Sequence, residues 1–382
     1  MSIGVTVLGS PGSGGAFATT GGGTLVVEGP VTAPTGATVS MRVGTVVFAG
    51  GGSYASMFVN EGTARLGRSD GLATNATVTV AASANATLDL AGFDQSLAGI
   101  LKGPGAATIG SSSTSRDATL TLTGSSAFAG AIVDAVGGGT RRTHLAVHGG
   151  WLRLSGSSTL TGTTTIRDGT LELTTPRGLA ASPLRLLSGG TLAVTGSTSL
   201  AIVRLALDGG RVDLGGGRMT IAAGGISQAD LVAGLAAGRG PGTWTGPTGI
   251  TSSAVAASVA AGVSRSLGWQ EAPDGSLLVA AAAAGDANLD GLFDVLDAAT
   301  VAAAGLYDTG QAAIWASGDF TYDGVVDILD ISEAIGSGLF DTGTALPAAV
   351  VAVPEPAPGW LPAVVLGAAA VLGRTRPRTR RS

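Results

Sequence analysis

The sequence predicts a mainly β fold built from short repeated strands, followed by a small segment with helices near the carboxyl end. Three observations support this prediction. The 382-residue chain has 64 glycines, 4% aromatic and 12% charged residues, a composition unlike that of an ordinary globular enzyme. Between residues 22 and 221, short alternating segments follow one another. After residue 285, two acidic loops each precede a helical pattern.

Residues 1–225 are expected to form a repetitive β region. Apolar and β-branched residues alternate there with polar ones over four or five positions, a period of two that is typical of half-buried strands. Examples are residues 76–80, 86–90, 119–122, 170–173, 191–194 and 211–214. No helix is predicted before Ser227. The first eight residues lack the basic and apolar parts of a signal peptide, so we expect the chain to start inside a repeat.

An internal repeat gives this region a family resemblance. Residues 120–130 (LTLTGSSAFAG) return as residues 152–162 (LRLSGSSTLTG) and continue through 163–173 (TTTIRDGTLEL). This string, together with residues 85–97 (NATLDLAGFDQSL), resembles the autotransporter-associated β-strand repeat. The resemblance implies a right-handed parallel β-helix, in which stacked coils bury a continuous apolar column. An antiparallel sandwich is the alternative.

Two twelve-residue loops, 286–297 and 319–330, carry the candidate metal site. Each has oxygen side chains at positions 1, 3, 5, 9 and 12 and glycine at position 6, the spacing of an EF-hand calcium loop, in which position 7 offers its carbonyl. The predicted Ca²⁺ ligands are Asp286, Asn288, Asp290, Leu292, Asp294 and Asp297, then Asp319, Thr321, Asp323, Val325, Asp327 and Asp330. We expect weaker binding in the second loop, because the Thr321 hydroxyl is a poorer ligand than the Asn288 amide oxygen. An acidic surface loop without metal is the alternative.

Residues 285–345 resemble a dockerin-like module. Both loops end in Asp where an EF-hand has Glu, each precedes a single helix, and residues 305–310 (GLYDTG) return as 338–343 (GLFDTG). The resemblance implies a cohesin-like protein partner, recognised by the helix after each loop, here near residues 298–300 and 331–333. Because the two copies differ at these positions, we do not expect a symmetric binder.

The connecting segment, residues 226–284, is predicted to cap the open end of the β region. Ser227 has the place of an N-cap before a short helical pattern. A terminal coil without a cap exposes unpaired backbone groups that can pair with another chain. Trp244 and Trp269 offer an alternative interpretation, a carbohydrate-binding platform.

The carboxyl-terminal residues resemble a PEP-CTERM sorting signal. A Pro-rich linker (346–358) contains VPEP at residues 353–356, and an apolar segment (359–373) and an Arg-rich tail (374–382) follow. The resemblance implies a transmembrane sorting helix, a cytoplasmic tail and cleavage near residues 354–356 by an exosortase-type enzyme. An apolar helix of about 20 Å is shorter than the ~30 Å bilayer core and requires thinning or snorkelling.

Composition and charge narrow the function. A net charge of −5 makes nucleic acid an unsuitable partner, and the chain has no cysteine for disulfides or thiolate sites. The acidic residues of the β region are scattered rather than clustered, so we expect no enzyme. The sequence therefore predicts a non-catalytic, exported, structural or adhesive protein that is anchored transiently in the membrane and then reaches the cell surface or matrix. The alternatives are a dockerin-mediated interaction subunit and an extracellular protein that binds or degrades surface polysaccharide.

Overall fold

The chain folds as a parallel β-solenoid of about nine turns, followed by a segment that carries the helices. The computed structural model describes residues 2–3, 15–17, 23–34, 37–175, 179, 181–196 and 199–342. Successive coils pair in parallel, for example Leu171 with Leu192 and Leu120 with Leu145. The prediction of a mainly β, parallel β-helical chain is confirmed. The antiparallel sandwich is wrong.

The described strands are numbered along the chain, and all but the last two lie before residue 252. They are β1 (Ser2–Ile3), β2 (Gly15–Phe17), β3 (Thr24–Val27), β4 (Val31–Thr32), β5 (Thr38–Met41), β6 (Thr45–Phe48), β7 (Gly52–Ser53), β8 (Ser56–Val59), β9 (Gly62–Leu66), β10 (Thr77–Val80), β11 (Ala86–Asp89), β12 (Gln95–Leu97), β13 (Gly99–Lys102), β14 (Ala107–Ser111), β15 (Ala118–Leu122), β16 (Ser126–Phe128), β17 (Ala131–Ala135), β18 (Thr143–His148), β19 (Trp151–Leu154), β20 (Thr164–Arg167), β21 (Thr170–Leu173), β22 (Leu184–Leu187), β23 (Thr191–Val194), β24 (Ser199–Ile202), β25 (Leu205–Asp208), β26 (Arg211–Asp213), β27 (Arg218–Ile221), β28 (Gly249–Thr251), β29 (Ser266–Glu271) and β30 (Leu277–Ala282).

These strands form five sheets and a two-stranded ribbon, β4-β7. Sheet A has the order β1-β3-β6-β9-β11-β14-β17, and sheet B has the order β2-β5-β8-β10-β13. Farther along the chain, sheet C has the order β12-β15-β18-β20-β22-β25 and sheet D the order β16-β19-β21-β23-β26-β28. Sheet E, with the order β24-β27-β30-β29, closes the solenoid because β30 pairs antiparallel with both of its neighbours.

Columns of identical register fill the narrow core. In sheet D, one apolar side chain from each coil stacks on the next, and the members of this column are all fully buried: Leu152, Leu171, Leu192, Val212 and Ile250. Complete burial of such a side chain is worth roughly 1.5–3 kcal/mol. The alternating sequence produces this column because every second side chain of a strand points to the same face.

Single aspartates in the turns form hydrogen bonds that join one coil to the next. The carboxylate of Asp70 accepts a hydrogen bond from the Ser96 N–H, 26 residues later, at 2.9 Å. Asp94 accepts one from the Thr119 N–H at 2.8 Å. The same arrangement is found for Asp117 and Arg142 at 3.1 Å, and for Asp134 and Thr161 at 2.9 Å. The aspartates that look scattered in sequence therefore serve as backbone acceptors between coils.

The connecting segment closes the solenoid with two helices and the hairpin β29-β30. Helix α1 (Gln228–Arg239) starts at Ser227, whose hydroxyl accepts a hydrogen bond from the Asp230 N–H at 3.1 Å, so the predicted N-cap is confirmed. Helix α2 (Ser253–Ala260) follows. Trp244 and Trp269 are each only 1% exposed, so the alternative interpretation, a carbohydrate platform built on these two rings, is wrong.

Two further helices belong to the acidic repeat, residues 285–342. Helix α3 (Val295–Ala304) begins as the first loop ends, and helix α4 (Ile328–Gly336) begins as the second loop ends, with a 3₁₀ turn (Trp315–Ser317) between them. No helix in the described part of the chain has the length and apolar character needed to cross a bilayer. The predicted linker (346–358), sorting helix (359–373) and Arg-rich tail (374–382) lie outside the described residues.

Candidate metal centre

The carboxylate at position 12 holds the first loop together. Asp297 Oδ1 accepts hydrogen bonds from the N–H groups of Ala287 (2.9 Å) and Asn288 (3.2 Å), and its Oδ2 accepts one from Asp294 (2.9 Å). Asp297 lies in the first turn of α3 and is 1% exposed. One buried side chain thus joins the start of the loop to the start of the helix.

The second loop repeats this arrangement around Asp330. Its Oδ1 accepts hydrogen bonds from Phe320 and Thr321, and its Oδ2 accepts one from Asp327, all at 2.9 Å. Asp330 is fully buried in the first turn of α4. The duplicated sequence therefore folds as a duplicated structure, in which the carboxylate at position 12 of each loop accepts three backbone hydrogen bonds.

The turn at position 6 brings position 1 back across each loop. Gly291 and Gly324 have φ angles of 92° and 90°, a left-handed conformation that glycine adopts without steric cost. Their N–H groups donate to the carboxylates of Asp286 (3.2 Å) and Asp319 (3.1 Å). Position 1 is almost completely buried in both loops, at 1% exposure.

Among the remaining predicted ligands, Asp290 and Asp323 at position 5 are exposed, whereas Asp294 and Asp327 at position 9 are half-buried. Carboxylates at positions 5 and 9 accept hydrogen bonds from the backbone two residues later, as when Asp294 accepts one from Leu296 at 2.7 Å and Asp327 accepts one from Leu329 at 2.7 Å. Asn288 Oδ1 accepts one from the Asp290 N–H at 2.8 Å. In the described residues, no three His, Cys, Asp or Glu side chains converge into a ready metal cluster. The predicted ligand sets also draw on Asn288, Thr321 and the carbonyls of Leu292 and Val325.

The chemistry of the second loop fits a cation. Burial and the neighbouring carboxylates of Asp330 and Asp323 raise the pKa of Asp319 to about 6, because a buried carboxylate among like charges disfavours ionisation. The Thr321 hydroxyl oxygen is buried and has no hydrogen-bond partner among the described residues. A divalent cation would stabilise the ionised carboxylates and give this oxygen a partner.

Position 4 of each loop anchors the loop to the cap of the solenoid. Leu289 and Tyr322 have φ angles of 55° and 64°, which is uncommon for residues with side chains. The Tyr322 hydroxyl donates to the Leu267 carbonyl in β29. Its ring stacks on Trp315 at 5.8 Å and meets Trp244 edge-on at 6.1 Å between centroids.

Trp315 and Gly268 complete the contact between the loops and the cap. The Trp315 indole N–H donates to the Asp286 carbonyl at 2.8 Å, so the ring that packs on the cap also contacts the first loop. Gly268 permits this approach, because a Cβ there would lie 2.5 Å from Leu289 and 2.6 Å from Trp315. These contacts do not follow from the spacing of the loop ligands, although a large hydrophobic residue at position 4 of both loops, Leu289 and Tyr322, is a signal for them.

An ion pair ties the second helix to the cap. Arg239, in the last turn of α1, pairs with Glu333 in α4. Burial raises the pKa of Glu333 above its usual value, and the Arg239 charge opposes this shift. Within the described residues, the acidic repeat and the connecting segment thus share polar and aromatic contacts.

Comparisons with known proteins leave the chain without a family assignment. No family model, curated protein or solved structure matches it.

Proposed function

We propose that this chain is a non-catalytic, exported cell-surface or matrix protein with a structural or adhesive β-solenoid and a Ca²⁺-ordered, dockerin-like terminal module. The observation that carries the proposal is the matched pair of loops, each folded by a buried aspartate that binds three backbone N–H groups. Following the family resemblance, we expect the solenoid to wind in the right-handed sense.

Calcium supplies positive charge to loops rich in carboxylates. The first ion would be held by Asp286, Asn288, Asp290, Leu292, Asp294 and Asp297, and the second by Asp319, Thr321, Asp323, Val325, Asp327 and Asp330. Since Leu289 and Tyr322 anchor these loops to the cap, a bound cation would also fix the end of the solenoid. Metal binding that orders its own loop contributes directly to folding.

A residue exchange between the loops tests the proposal. Calorimetric titration of the full chain with Ca²⁺ should show two binding events, the weaker one in the second loop. Thr321→Asn should tighten the weaker event several-fold, and Asn288→Thr should weaken the stronger one, because an amide oxygen is a better ligand than a hydroxyl. Absence of a binding signal in the wild type and both variants would refute the calcium proposal.

A protein-interaction role is the second candidate, and exposed apolar side chains favour it. Val295 and Leu296 are 67% and 61% exposed at the start of α3, and Ile328 and Leu329 are 60% and 58% exposed at the start of α4. An apolar cavity of about 430 Å³ also lies between the two helices. Such exposed apolar groups are typical of interaction surfaces.

The dockerin resemblance suggests a cohesin-like partner that approaches α3. Residues 298–300 are exposed, whereas Glu333 of the corresponding second set is engaged by Arg239. Titration with a purified cohesin-like module should therefore show weaker binding for Leu296→Glu than for the matched variant Leu329→Glu. Equal losses would refute the preference for α3, and absence of binding by the wild type would exclude this class of partner.

Export and processing form a separate part of the proposal, based on the carboxyl-terminal resemblance. We expect the membrane to hold the chain through residues 359–373 until an exosortase-type enzyme cleaves near residues 354–356. Mass spectrometry of the mature protein from its source should find a carboxyl terminus in this region. A mature protein that retains residues 374–382 would contradict the proposed processing.

A further inference from the structure

The last turn of the solenoid leaves sheet C one strand short. Sheet C ends at β25, whereas sheet D continues to β28 and sheet E to β30. The chain still meets both ends of β25. The Leu205 N–H donates to the Gly225 carbonyl at 2.9 Å, and the Gly249 N–H donates to the Gly210 carbonyl at 2.9 Å. Between Gly225 and Gly249, the chain leaves the sheet to form α1.

A cavity of about 580 Å³ lies at the position of the missing strand. One wall is the whole of β25 and the turn after it, and the other is the face of α1 that carries Asp230, Ala233 and Ala237. Gly224 and Gly225 lie at one end of the cavity, and Gly249 lies at the other. The cavity is thus a slot with small side chains beside a strand edge.

The edge of β25 presents hydrogen-bonding groups to this slot. In a parallel ladder, alternate residues bond to opposite neighbours. Arg204 faces the preceding coil, since its carbonyl accepts from the Leu184 N–H at 2.9 Å, whereas Leu205 faces the following one. The backbone N–H and carbonyl of Leu207, two residues after Leu205, therefore point into the slot as well. Within the described part of the chain, no hydrogen bond joins its N–H or carbonyl to a following strand.

We propose that this slot binds an extended peptide, which adds to β25 as a further parallel strand of sheet C. Unpaired edge groups are a template for strand addition, in which backbone hydrogen bonds supply affinity. The edge from Leu205 to Gly210 spans about 16 Å at ~3.3 Å per residue, enough for about five peptide residues. Ala233 and Ala237 give the slot a small apolar surface on the side of α1.

The lining favours a peptide over a glycan. The groups available at Leu207 are one N–H and one carbonyl at strand spacing, which match a peptide backbone. No aromatic side chain lines the slot among the described residues, whereas sugars commonly stack on aromatic rings. This proposal is independent of calcium, because none of the predicted ligands lines the slot.

Hydrogen exchange of the Leu207 amide in the full chain tests the proposal directly. The probe is a capped peptide, Ala-Thr-Val-Thr-Val, copied from residues 76–80. Titrated to millimolar concentration, it should slow exchange in residues 205–209 at least tenfold in a saturable manner. The same peptide with its backbone nitrogens methylated cannot donate hydrogen bonds and should give no protection.

Two matched variants locate the binding site. Ala233→Trp fills the slot from the exposed surface of α1 and should weaken binding of the probe at least tenfold. Ala229→Trp adds the same ring at an exposed α1 position outside the slot lining and should leave binding unchanged. No protection by the probe, equal protection by the methylated peptide, or equal losses in the two variants would overturn the proposal. Protection by a β-linked glucose oligosaccharide and not by the peptide would assign the slot to a glycan instead.

Discussion

Replacing Asp330 with alanine should open the second acidic loop and loosen α4. The change removes one buried carboxylate that accepts three backbone hydrogen bonds, each of 2.9 Å. A buried donor left without a partner costs about 1–3 kcal/mol. Because water can enter the loop beside the new methyl group, each of the three donors should cost about 1 kcal/mol, the lower limit. The expected loss of local stability is therefore about 3 kcal/mol. This loss corresponds to roughly 150-fold faster local opening.

Hydrogen exchange measured by mass spectrometry, over residues 319–336 of the full chain, is the appropriate assay. A calcium chelator in the buffer ensures that only the hydrogen bonds are compared. The matched control is Asp323→Ala, since this exposed carboxylate accepts one bond within the loop, from Val325 at 3.1 Å. We expect at most a few-fold change in the control. Exchange in Asp330→Ala equal to that in the control would refute the role assigned to position 12.

Three further substitutions test the cap contact, its ion pair and the solenoid core. Burial raises the pKa of Tyr322 well above its usual range, so the hydroxyl stays protonated and donates its hydrogen bond. Tyr322→Phe leaves the Leu267 carbonyl unpaired and should lower the stability of this contact by about 1–2 kcal/mol. The loss should appear as faster hydrogen exchange in β29. Burial also raises the folded-state pKa of Glu333 above 4.5. The folded protein therefore binds this proton more tightly than the unfolded chain does. The free energy of unfolding falls as the pH rises from the unfolded-state pKa of Glu333 through its higher folded-state pKa. Glu333→Gln should accordingly gain stability relative to the wild type between pH 4 and 7 in urea denaturation, and a constant difference would refute the assignment. In the core, Leu192→Ala should cost about 2–5 kcal/mol in the same assay, whereas Thr191→Ala on the outer face should cost far less, and similar losses would contradict the stacked column.

Much of the fold follows from local sequence rules. The period-two alternation predicts the strands. The repeat at residues 120–130 and 152–162 does not give the register of the coils, because Leu120 lies in sheet C and pairs with Leu145, whereas Leu152 lies in sheet D. Ser227 predicts the start of α1, because an N-cap hydroxyl satisfies a helix N–H from within four residues. The alternation and the N-cap rule succeed because each depends only on neighbours in the sequence.

Contacts between residues that are distant in the sequence could not be predicted in the same way. Trp244 and Trp269 suggest a surface platform when considered alone, yet both are buried, and Trp244 meets Tyr322 of the acidic repeat edge-on. The coil-to-coil role of Asp70 and Asp94 depends on which N–H lies beside each carboxylate in the next coil, and this requires the register. The hydrogen bonds of the two loops are different, because the twelve-residue spacing itself places Asp297 and Asp330, both predicted ligands, next to the N–H groups whose hydrogen bonds they accept.

The dependence of the acidic loops on calcium is the most direct test of the proposed function. The measurement is hydrogen exchange of the full chain with excess Ca²⁺ and again with excess chelator. We predict that chelation accelerates exchange in residues 286–297 and 319–330 by at least tenfold and leaves strand β23 of the solenoid unchanged. Identical exchange in both conditions, at every residue of the two loops, would contradict a calcium-ordered module.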